Sequence, residues 1–228
     1  ARNDTAGARR LFAYSNLLSR RDFASRSWAI DDAVARGDIW EALRHYDIAL
    51  RTSSTAPNTL FPILASAIAE PAIRDNLVRT LMASPAWGDS FVMYTAGKGS
   101  NTRAAALLFA ALHKHRVVLP SEATAILIGR LLADNHPEDA WSYYAAITPG
   151  VDRHMSRDPD FMADKTTPSA FDWLPVADSG IAATIQHVSH GGVFDFAAPS
   201  NVGGPLLQQV QMLPAGTYVL EGRSKGID

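Results

Sequence analysis

The sequence predicts an α-then-β fold, in which antiparallel helical hairpins are followed by antiparallel strands. Two observations carry this prediction. Before about residue 150, alanine and leucine dominate and apolar residues recur with a period close to 3.6, whereas glycine, proline, valine and phenylalanine follow in short alternating runs. The chain of 228 residues is long enough for one large domain or two modest ones. We therefore expect a helical array at 1–149, a linker loop at 150–170 and a β segment at 171–228.

Nine helices are predicted in the first part, each from a capping residue, glycine or proline near an end and an apolar stripe along its length. They span about residues 5–19, 23–36, 38–52, 59–69, 71–83, 86–96, 103–114, 122–133 and 137–148. The third is the clearest, because the turn signal Gly37-Asp38 is followed by Ala42, Tyr46 and Leu50 on one stripe. Since the connections are short, neighbouring helices are expected to lie antiparallel.

Two of these helices resemble the second helix of a tetratricopeptide repeat, where small residues let two helices pack closely and an aromatic residue fills the groove beside them. The matching residues are Glu41-Ala42, Tyr46 and Ala49-Leu50, and again Asp139-Ala140, Tyr144 and Ile147. The distance of 98 residues from Ala42 to Ala140 is near three periods of ~34 residues without equalling them, and residues 55–118 match poorly. The resemblance implies a right-handed stack of hairpins that binds a protein partner. The alternative is an irregular helical bundle.

Short alternating runs from Phe171 onward predict about five strands, at 171–174, 181–188, 193–197, 206–213 and 217–223. The phrase LLQQVQMLPAGTYVLEGRSKG resembles a hairpin of jelly-roll sandwiches of the carbohydrate-binding-module type, in which a Pro-x-Gly turn joins a glutamine-bearing strand to a tyrosine-bearing one. Phe171-x-Trp173 fits the start of such a module. A complete jelly roll has about eight strands, so we expect a truncated β-sandwich.

The combination of helical repeats with such a sandwich resembles envelope-associated proteins of polysaccharide-producing Gram-negative bacteria. They imply a periplasmic or envelope-associated location, with a cytoplasmic one as the alternative. The chain begins with Ala1 and stops after a predicted strand, so we expect it to be a piece of a longer protein whose targeting signal is not visible here.

Composition excludes several classes of function. A formal net charge of −2 without a basic face argues against a nucleic-acid partner. The absence of cysteine excludes disulfides, thiol catalysis and cysteine metal sites. No membrane span is predicted, because the longest apolar run, at 104–112, has about half of the ~20 residues required.

We predict no catalytic, cofactor or metal site. His187 and His190 with Asp195 are the one possible metal cluster, but residues three apart on a strand face opposite ways, and no HExxH helix accompanies them. The acidic run at 158–164 lacks the glycine and closing glutamate of a calcium loop. The phosphate-loop-like stretch at 97–100 lacks the preceding glycine and strand, and no Gly-x-Ser-x-Gly elbow presents a nucleophile.

We therefore expect a non-enzymatic binding or scaffold protein, not an enzyme, whose helical array engages a protein or peptide along a groove lined by exposed positions of the second helices. The candidate partner-binding residues are Arg44, His45, Tyr143, Trp40 and Trp141. A guanidinium, a titratable ring and a phenol suit an acidic or polar peptide, although these residues would also fit a merely solvated helix face.

The resemblance adds a polysaccharide as a second partner and a role in cell-envelope polysaccharide production or export. The alternative function is a carbohydrate-binding or polysaccharide-processing accessory whose catalytic part lies outside this chain.

Overall fold

The structure, a computed structural model, describes residues 7, 23–176, 180–188 and 191–222. The predicted helix at 5–19, apart from Gly7, and the candidate ligand His190 lie outside these residues. The chain divides into two compact units. The helical unit runs to Pro149 and includes Lys165–Ser169, and the strand-containing unit comprises Gly150–Asp164 and the chain from Ala170 onward.

Eight helices lie in the described part of the helical unit. They are α1 (Phe23–Ala35), α2 (Ile39–Thr52), α3 (Ala56–Ala67), α4 (Pro71–Met82), α5 (Gly88–Lys98), α6 (Thr102–Lys114), α7 (Ser121–Ala133) and α8 (Pro137–Ile147). Each corresponds to a predicted helix, with ends that differ by no more than about three residues, as is usual for sequence-based boundaries. The prediction of a helix-rich chain is confirmed.

Local signals fix where these helices begin and end. The Asp38 carboxylate accepts a hydrogen bond from the Glu41 backbone N–H at 2.9 Å and so caps α2, while Asn101 caps α6 through the Ala104 N–H at 2.9 Å. Proline in the first turn of α3, α4 and α8 removes a backbone donor that would have no partner there. Gly37 has φ of +73° directly after α1, a conformation that glycine adopts without a steric penalty.

The helices pack in two rows. Helices α2, α4, α6 and α8 contact one another in order, α2 with α4, α4 with α6 and α6 with α8, and we call these four the second-helix row. Helices α3, α5 and α7 form a first-helix row in the same way. Between the rows lies an apolar core whose largest fully buried side chains include Leu64, Leu77, Phe91, Phe109 and Leu127.

The stripe predicted on α2 and α8 is buried in this arrangement. Ala42 and Tyr46 are almost inaccessible on α2, and Ala140 and Tyr144 are so on α8. On α1, Ile30 and Ala33 are buried, whereas Val34 is exposed. The close-packing positions of α2 and α8 are therefore where the sequence predicts them.

The strand-containing unit holds four short strands among its described residues: β1 (Leu174–Pro175), β2 (Ala182–Val188), β3 (Gly191–Ala197) and β4 (Leu207–Gln208). They form two antiparallel two-stranded sheets, β1 with β4 and β2 with β3, the latter with Thr184 opposite Asp195. A few antiparallel strands are thus present, as predicted.

Two predicted strands differ from the structure. The strand at 206–213 shrinks to β4, because the backbone N–H of Val210 donates to the Ala170 carbonyl at 2.8 Å and the Gln209 side chain turns to Arg157. Residues 217–222 form no strand, and their apolar side chains Val219 and Leu220 are exposed. Alternation predicts a strand only where one face can be buried, and no described part of the unit covers the apolar side chains of residues 217–222.

The segment at 150–164, predicted as part of a linker, is tied to its own unit by specific contacts. The Trp173 indole donates to the Asp158 carbonyl at 3.0 Å, and its ring centroid lies 5.5 Å from that of Phe161. The Gly192 N–H donates to the Asp160 carbonyl at 2.7 Å. Phe161 thus packs on Trp173, whereas the neighbouring Met162 is exposed.

None of the helices in the described residues combines the length and the apolarity that crossing a bilayer requires, consistent with the prediction of no membrane span.

Candidate functional site

The second-helix row carries two grooves between its successive helices. The Trp40 groove lies between α2 and α4, has a volume of ≈ 350 Å³ and is bordered by Trp40, Arg44, Asp47, Arg51 and Arg79. The Leu107 groove, of ≈ 490 Å³, lies between α4, α6 and α8 and is bordered by Arg74, Arg103, Leu107, Asp139 and Tyr143. Helix α4 separates the two grooves, so they are consecutive along the row.

Trp40 is the aromatic side chain that dominates the first groove. It stands in the first turn of α2 and is 67% exposed. Arg44 follows one helical turn later and places its guanidinium carbon 5.9 Å from the centre of the Trp40 ring. Positions i and i+4 of a helix are neighbours, and a guanidinium over an indole gains a cation–π attraction. The indole therefore holds Arg44 at the groove.

The groove is electrostatically positive because its carboxylate is already engaged. One Asp47 oxygen pairs with Arg51, and the other accepts a hydrogen bond from the Trp87 indole N–H at 3.0 Å. Arg44 and Arg79 form no ion pair with any carboxylate in the described residues. Arg79 donates to the neutral Asn76 amide oxygen at 3.3 Å. Two guanidinium groups thus border the groove without an ion-pair partner in the part of the chain that the structure describes.

The Leu107 groove has a different character. Its floor includes Ala104 and Ala110, and Leu107 is 57% exposed at its edge. Arg103 Nε lies 2.7 Å from Asp139 Oδ2, so this ion pair joins α6 to α8 across the groove. The surface offers contact area to an apolar side chain, and Arg74 is the guanidinium of this groove that forms no ion pair within the described residues.

The structure brings two of the five predicted residues together and buries the other three. Trp40 and Arg44 share the Trp40 groove. His45, Tyr143 and Trp141 are only 9%, 3% and 9% exposed. The expectation that His45 and Tyr143 are exposed is therefore wrong.

His45 is covered because α1 packs across α2. Its Nδ1 lies 3.5 Å from Arg26 Nη1 on α1, and its Nε2 lies 3.6 Å from Glu41 Oε1 on α2, the helix of His45 itself. Burial lowers the pKa of His45 below its usual value by removing water from the charged ring, and the positive charges of Arg44 and Arg26 lower it further, against the opposing effect of Glu41. The neutral imidazole is the form that the fold favours.

Tyr143 is buried because α7 and α6 cover its helix. Its hydroxyl lies 3.1 Å from Thr124 Oγ1, and its ring centroid is 6.2 Å from that of Phe109. Burial raises the pKa of Tyr143 to about 12. Trp141 packs against Tyr144 with ring centroids 5.7 Å apart. The small accessible part of Tyr143 still borders the Leu107 groove, whereas Trp141 borders neither groove.

Sequence reasoning missed Leu107 and Arg79. A signal for Leu107 was present, because it shares a helix face with Arg103 and Lys114 rather than with the core residues Leu108 and Leu112. An apolar residue out of phase with the buried stripe of its helix is expected to be exposed. For Arg79 there was no such signal, since an arginine on the polar face of α4 is ordinary.

Of the residues considered as metal ligands, Asp158 has a structural role and His187 is exposed. The Asp158 carboxylate accepts hydrogen bonds from the backbone N–H groups of Met162 at 2.7 Å and Ala163 at 2.9 Å, so it closes a turn. His187 is exposed on β2. Within the described parts of the chain, no three His, Asp or Glu side chains come together as a metal site would require.

No protein-family model matches the chain, and no curated protein or solved structure matches it either. The resemblances to tetratricopeptide repeats and to carbohydrate-binding modules therefore stay predictions.

Proposed function

We propose that the helical unit is a non-enzymatic binding unit, built as a tetratricopeptide-like array of hairpins, that engages a protein partner along the second-helix row. The observation that carries this proposal is the coincidence of two consecutive grooves on that row with the exposed side chains Trp40 and Leu107. In a stack of hairpins, the second helices lie side by side and present such grooves to one extended ligand.

The chemistry of the exposed residues favours a protein over a small molecule. Tryptophan and arginine carry a disproportionate share of the energy at protein interfaces, chiefly where they stand in pockets. Trp40 and Arg44 stand together at one groove, and Leu107 borders the next. Single exposed apolar residues are ordinary on a protein surface. Two of them beside consecutive grooves form a continuous path for a segment of a partner.

A second candidate function concerns the strand-containing unit, as a sandwich-type carbohydrate-binding accessory of the cell envelope. Phe194 and Phe196 of β3 support it, since their rings are stacked with centroids 5.7 Å apart and Phe196 is exposed. Flat aromatic faces are suited to stacking on sugar rings. The helical proposal does not depend on this one.

Site-specific photo-cross-linking tests the proposal. A benzophenone amino acid replaces Trp40, Leu107 or, as the control, Ile63, an exposed apolar residue of α3 on the first-helix row. The full chain is irradiated in an extract of the cells that produce it. We expect positions 40 and 107 to cross-link to the same protein and position 63 to give no such product. Equal products from all three positions, or none from 40 and 107, would refute a partner surface on this row.

A further inference from the structure

We infer that the Trp40 groove binds an acidic segment of the partner protein, with carboxylates between Arg44 and Arg79 and an apolar side chain against Trp40. This inference rests on the proposed function and names the class of ligand that the groove selects. It commits to a peptide whose carboxylates alternate with at least one apolar residue.

Charge complementarity is the first argument. Arg44 and Arg79 approach the groove from two different helices, α2 and α4, and both border the same cavity. Arginine presents its N–H donors in a planar fork that matches a carboxylate, and charge-assisted hydrogen bonds of this kind are about twice as strong as neutral ones. The carboxylate that borders the groove, Asp47, pairs with Arg51 and accepts from the Trp87 indole, and it offers one negative charge against three guanidinium groups.

Preorganisation is the second argument. The Trp40 ring fixes the Arg44 guanidinium from below, so that less side-chain entropy is lost when a ligand binds. The apolar residues Leu43, Ala83 and Pro85 border the same cavity. An acidic residue alone would leave this apolar surface uncovered, and an apolar residue alone would leave the guanidinium groups unpaired. A segment that carries both kinds of side chain satisfies the whole groove.

The neighbouring groove supplies an internal comparison. There Arg103 is neutralised by Asp139 at 2.7 Å, and Arg74 donates to the Ile68 carbonyl at 3.0 Å. Within the described residues, the Leu107 groove thus keeps one guanidinium outside an ion pair, that of Arg74, against two at the Trp40 groove, so we expect its preference for acidic ligands to be weaker. A partner segment that follows the row would carry its acidic part over α2 and α4 and a more apolar part beyond α4.

A nucleic acid is the other polyanion that two arginines could attract. Its affinity depends on many phosphate contacts spread over a basic surface. Here the guanidinium groups are confined to one groove that also holds the carboxylate of Asp47, and the chain carries 23 acidic against 21 basic residues. The groove therefore favours a short acidic peptide over a long polyanion.

Fluorescence anisotropy with defined ligands tests the inference on the full chain. Three pools of short labelled peptides share a central leucine or phenylalanine and differ only in their flanking residues, which are Asp/Glu, Asn/Gln or Lys/Arg. A single-stranded oligonucleotide of the same charge as the acidic pool is the fourth ligand. We expect the acidic pool to bind at least about tenfold more tightly than the neutral pool, which corresponds to ~1.4 kcal/mol. The preference should shrink as salt is added, because salt screens exposed charges.

Variants assign the binding to this groove. Arg44→Gln with Arg79→Gln should abolish the preference for acidic flanks, and Trp40→Ala should weaken the acidic and neutral pools alike. Lys98→Gln, which removes an exposed positive charge from α5 on the other row, should change neither. Circular dichroism of each variant verifies that it is folded.

Three outcomes overturn the inference. They are equal affinity for the acidic and neutral pools, an acidic preference that survives the double arginine substitution, and tighter binding of the oligonucleotide. Each of these would leave the proposed function standing if the cross-links at positions 40 and 107 still form. Absence of those cross-links together with tight binding of the acidic pool would instead show that the groove has this selectivity without serving the proposed partner surface.

Discussion

The Trp87 indole N–H donates a hydrogen bond to Asp47 Oδ1 at 3.0 Å, across 40 residues of sequence. Asp47 lies on α2 and Trp87 directly precedes α5, so this bond joins the second-helix row to the first-helix row beneath the Trp40 groove. Trp87 is almost entirely buried and its ring stands 6.0 Å from Phe91 in an edge-to-face arrangement. The Asp47 carboxylate is therefore the acceptor of a largely buried indole N–H.

The first prediction follows from that bond. Asp47→Ala should lower the free energy of unfolding by ~1–3 kcal/mol, because it leaves the buried indole donor unsatisfied and also removes the partner of Arg51. Asp47→Asn should cost less, since its amide oxygen can still accept from Trp87. Urea denaturation followed by circular dichroism measures both losses. An Asn variant as unstable as the Ala variant would assign the effect to the charge pair with Arg51, which is exposed, and not to the indole.

The second prediction concerns the packing between the helices of the last hairpin. Ala140 is fully buried on α8 where small residues were predicted to allow close approach, so Ala140→Leu should overpack the interface by ~1–3 kcal/mol. The matched control is Ala146→Leu on the exposed face of the same helix, which should change stability little. Thermal and urea unfolding of both variants provide the comparison. A stable Ala140→Leu variant would mean that α7 and α8 do not approach closely.

The helical part of the fold was predictable because each of its helices is marked by local sequence signals. Asp38 and Asn101 are capping residues whose geometry depends on a single turn, and Ala42 with Tyr46 forms a stripe that only a helix aligns. Such signals do not need knowledge of distant contacts, so the eight described helices have the predicted positions.

The candidate site was predictable only in part, because exposure depends on which helix packs on which. A stripe shows that one face of α2 is buried but not how wide that face is. His45 sits one position from Tyr46, and α1 covers it by placing Arg26 against the imidazole. Tyr143 is covered by α6 and α7 in the same manner. Trp40 and Arg44, further round the helix, escape such contacts.

The strands were less predictable because their hydrogen bonds are not local. The alternation at 206–213 is compatible with a strand, yet among the described residues only β4 within it pairs as a strand, with β1. Beyond it, the Gln209 side chain hydrogen-bonds the backbone of Arg157, about fifty residues away in sequence. Tyr218 donates to the Pro214 carbonyl at 2.7 Å and closes a local turn instead of starting a strand. Nothing in the alternation itself distinguishes these outcomes.

The third prediction is a dependence of stability on pH through His45. Because burial and the neighbouring Arg44 and Arg26 lower the pKa of His45 in the folded protein, the unfolded chain takes up its proton first as the pH falls below about 6.5. The contribution of His45 to stability is therefore complete at neutral pH and is lost progressively on acidification. His45→Gln should make the decline of the unfolding free energy between about pH 7 and 5 shallower.

The control for this third prediction is His113→Gln, which removes an exposed imidazole from α6. Urea titrations across the pH range give the slopes directly. The comparison concerns slopes alone, so a uniform loss of stability in His45→Gln does not affect it. A His45→Gln slope that is equal to that of the wild type would show that this imidazole has the same pKa in the folded and unfolded chains.

The last prediction concerns proteolysis between the two units. Residues 162–166 are all exposed, and Lys165 stands where the chain passes from the strand-containing unit to the helical unit. Arg157, by contrast, has a side chain that is largely buried beside Asp172, and its backbone N–H and carbonyl both bond to the Gln209 side chain. Proteases need several residues of extended, accessible backbone, so a residue whose backbone N–H and carbonyl are both hydrogen-bonded resists them.

Among the described residues, brief trypsin treatment should therefore cut first after Lys165, and later or not at all after Arg157. Lys165→Gln should slow this first cut without altering the circular dichroism spectrum, and mass spectrometry distinguishes it from trimming near either terminus. A first internal cut after Arg157 would show that the segment at 150–164 is not held by its contacts with Gln209 and Trp173. A first cut within the second-helix row would show that those helices open before residues 162–166 are cleaved.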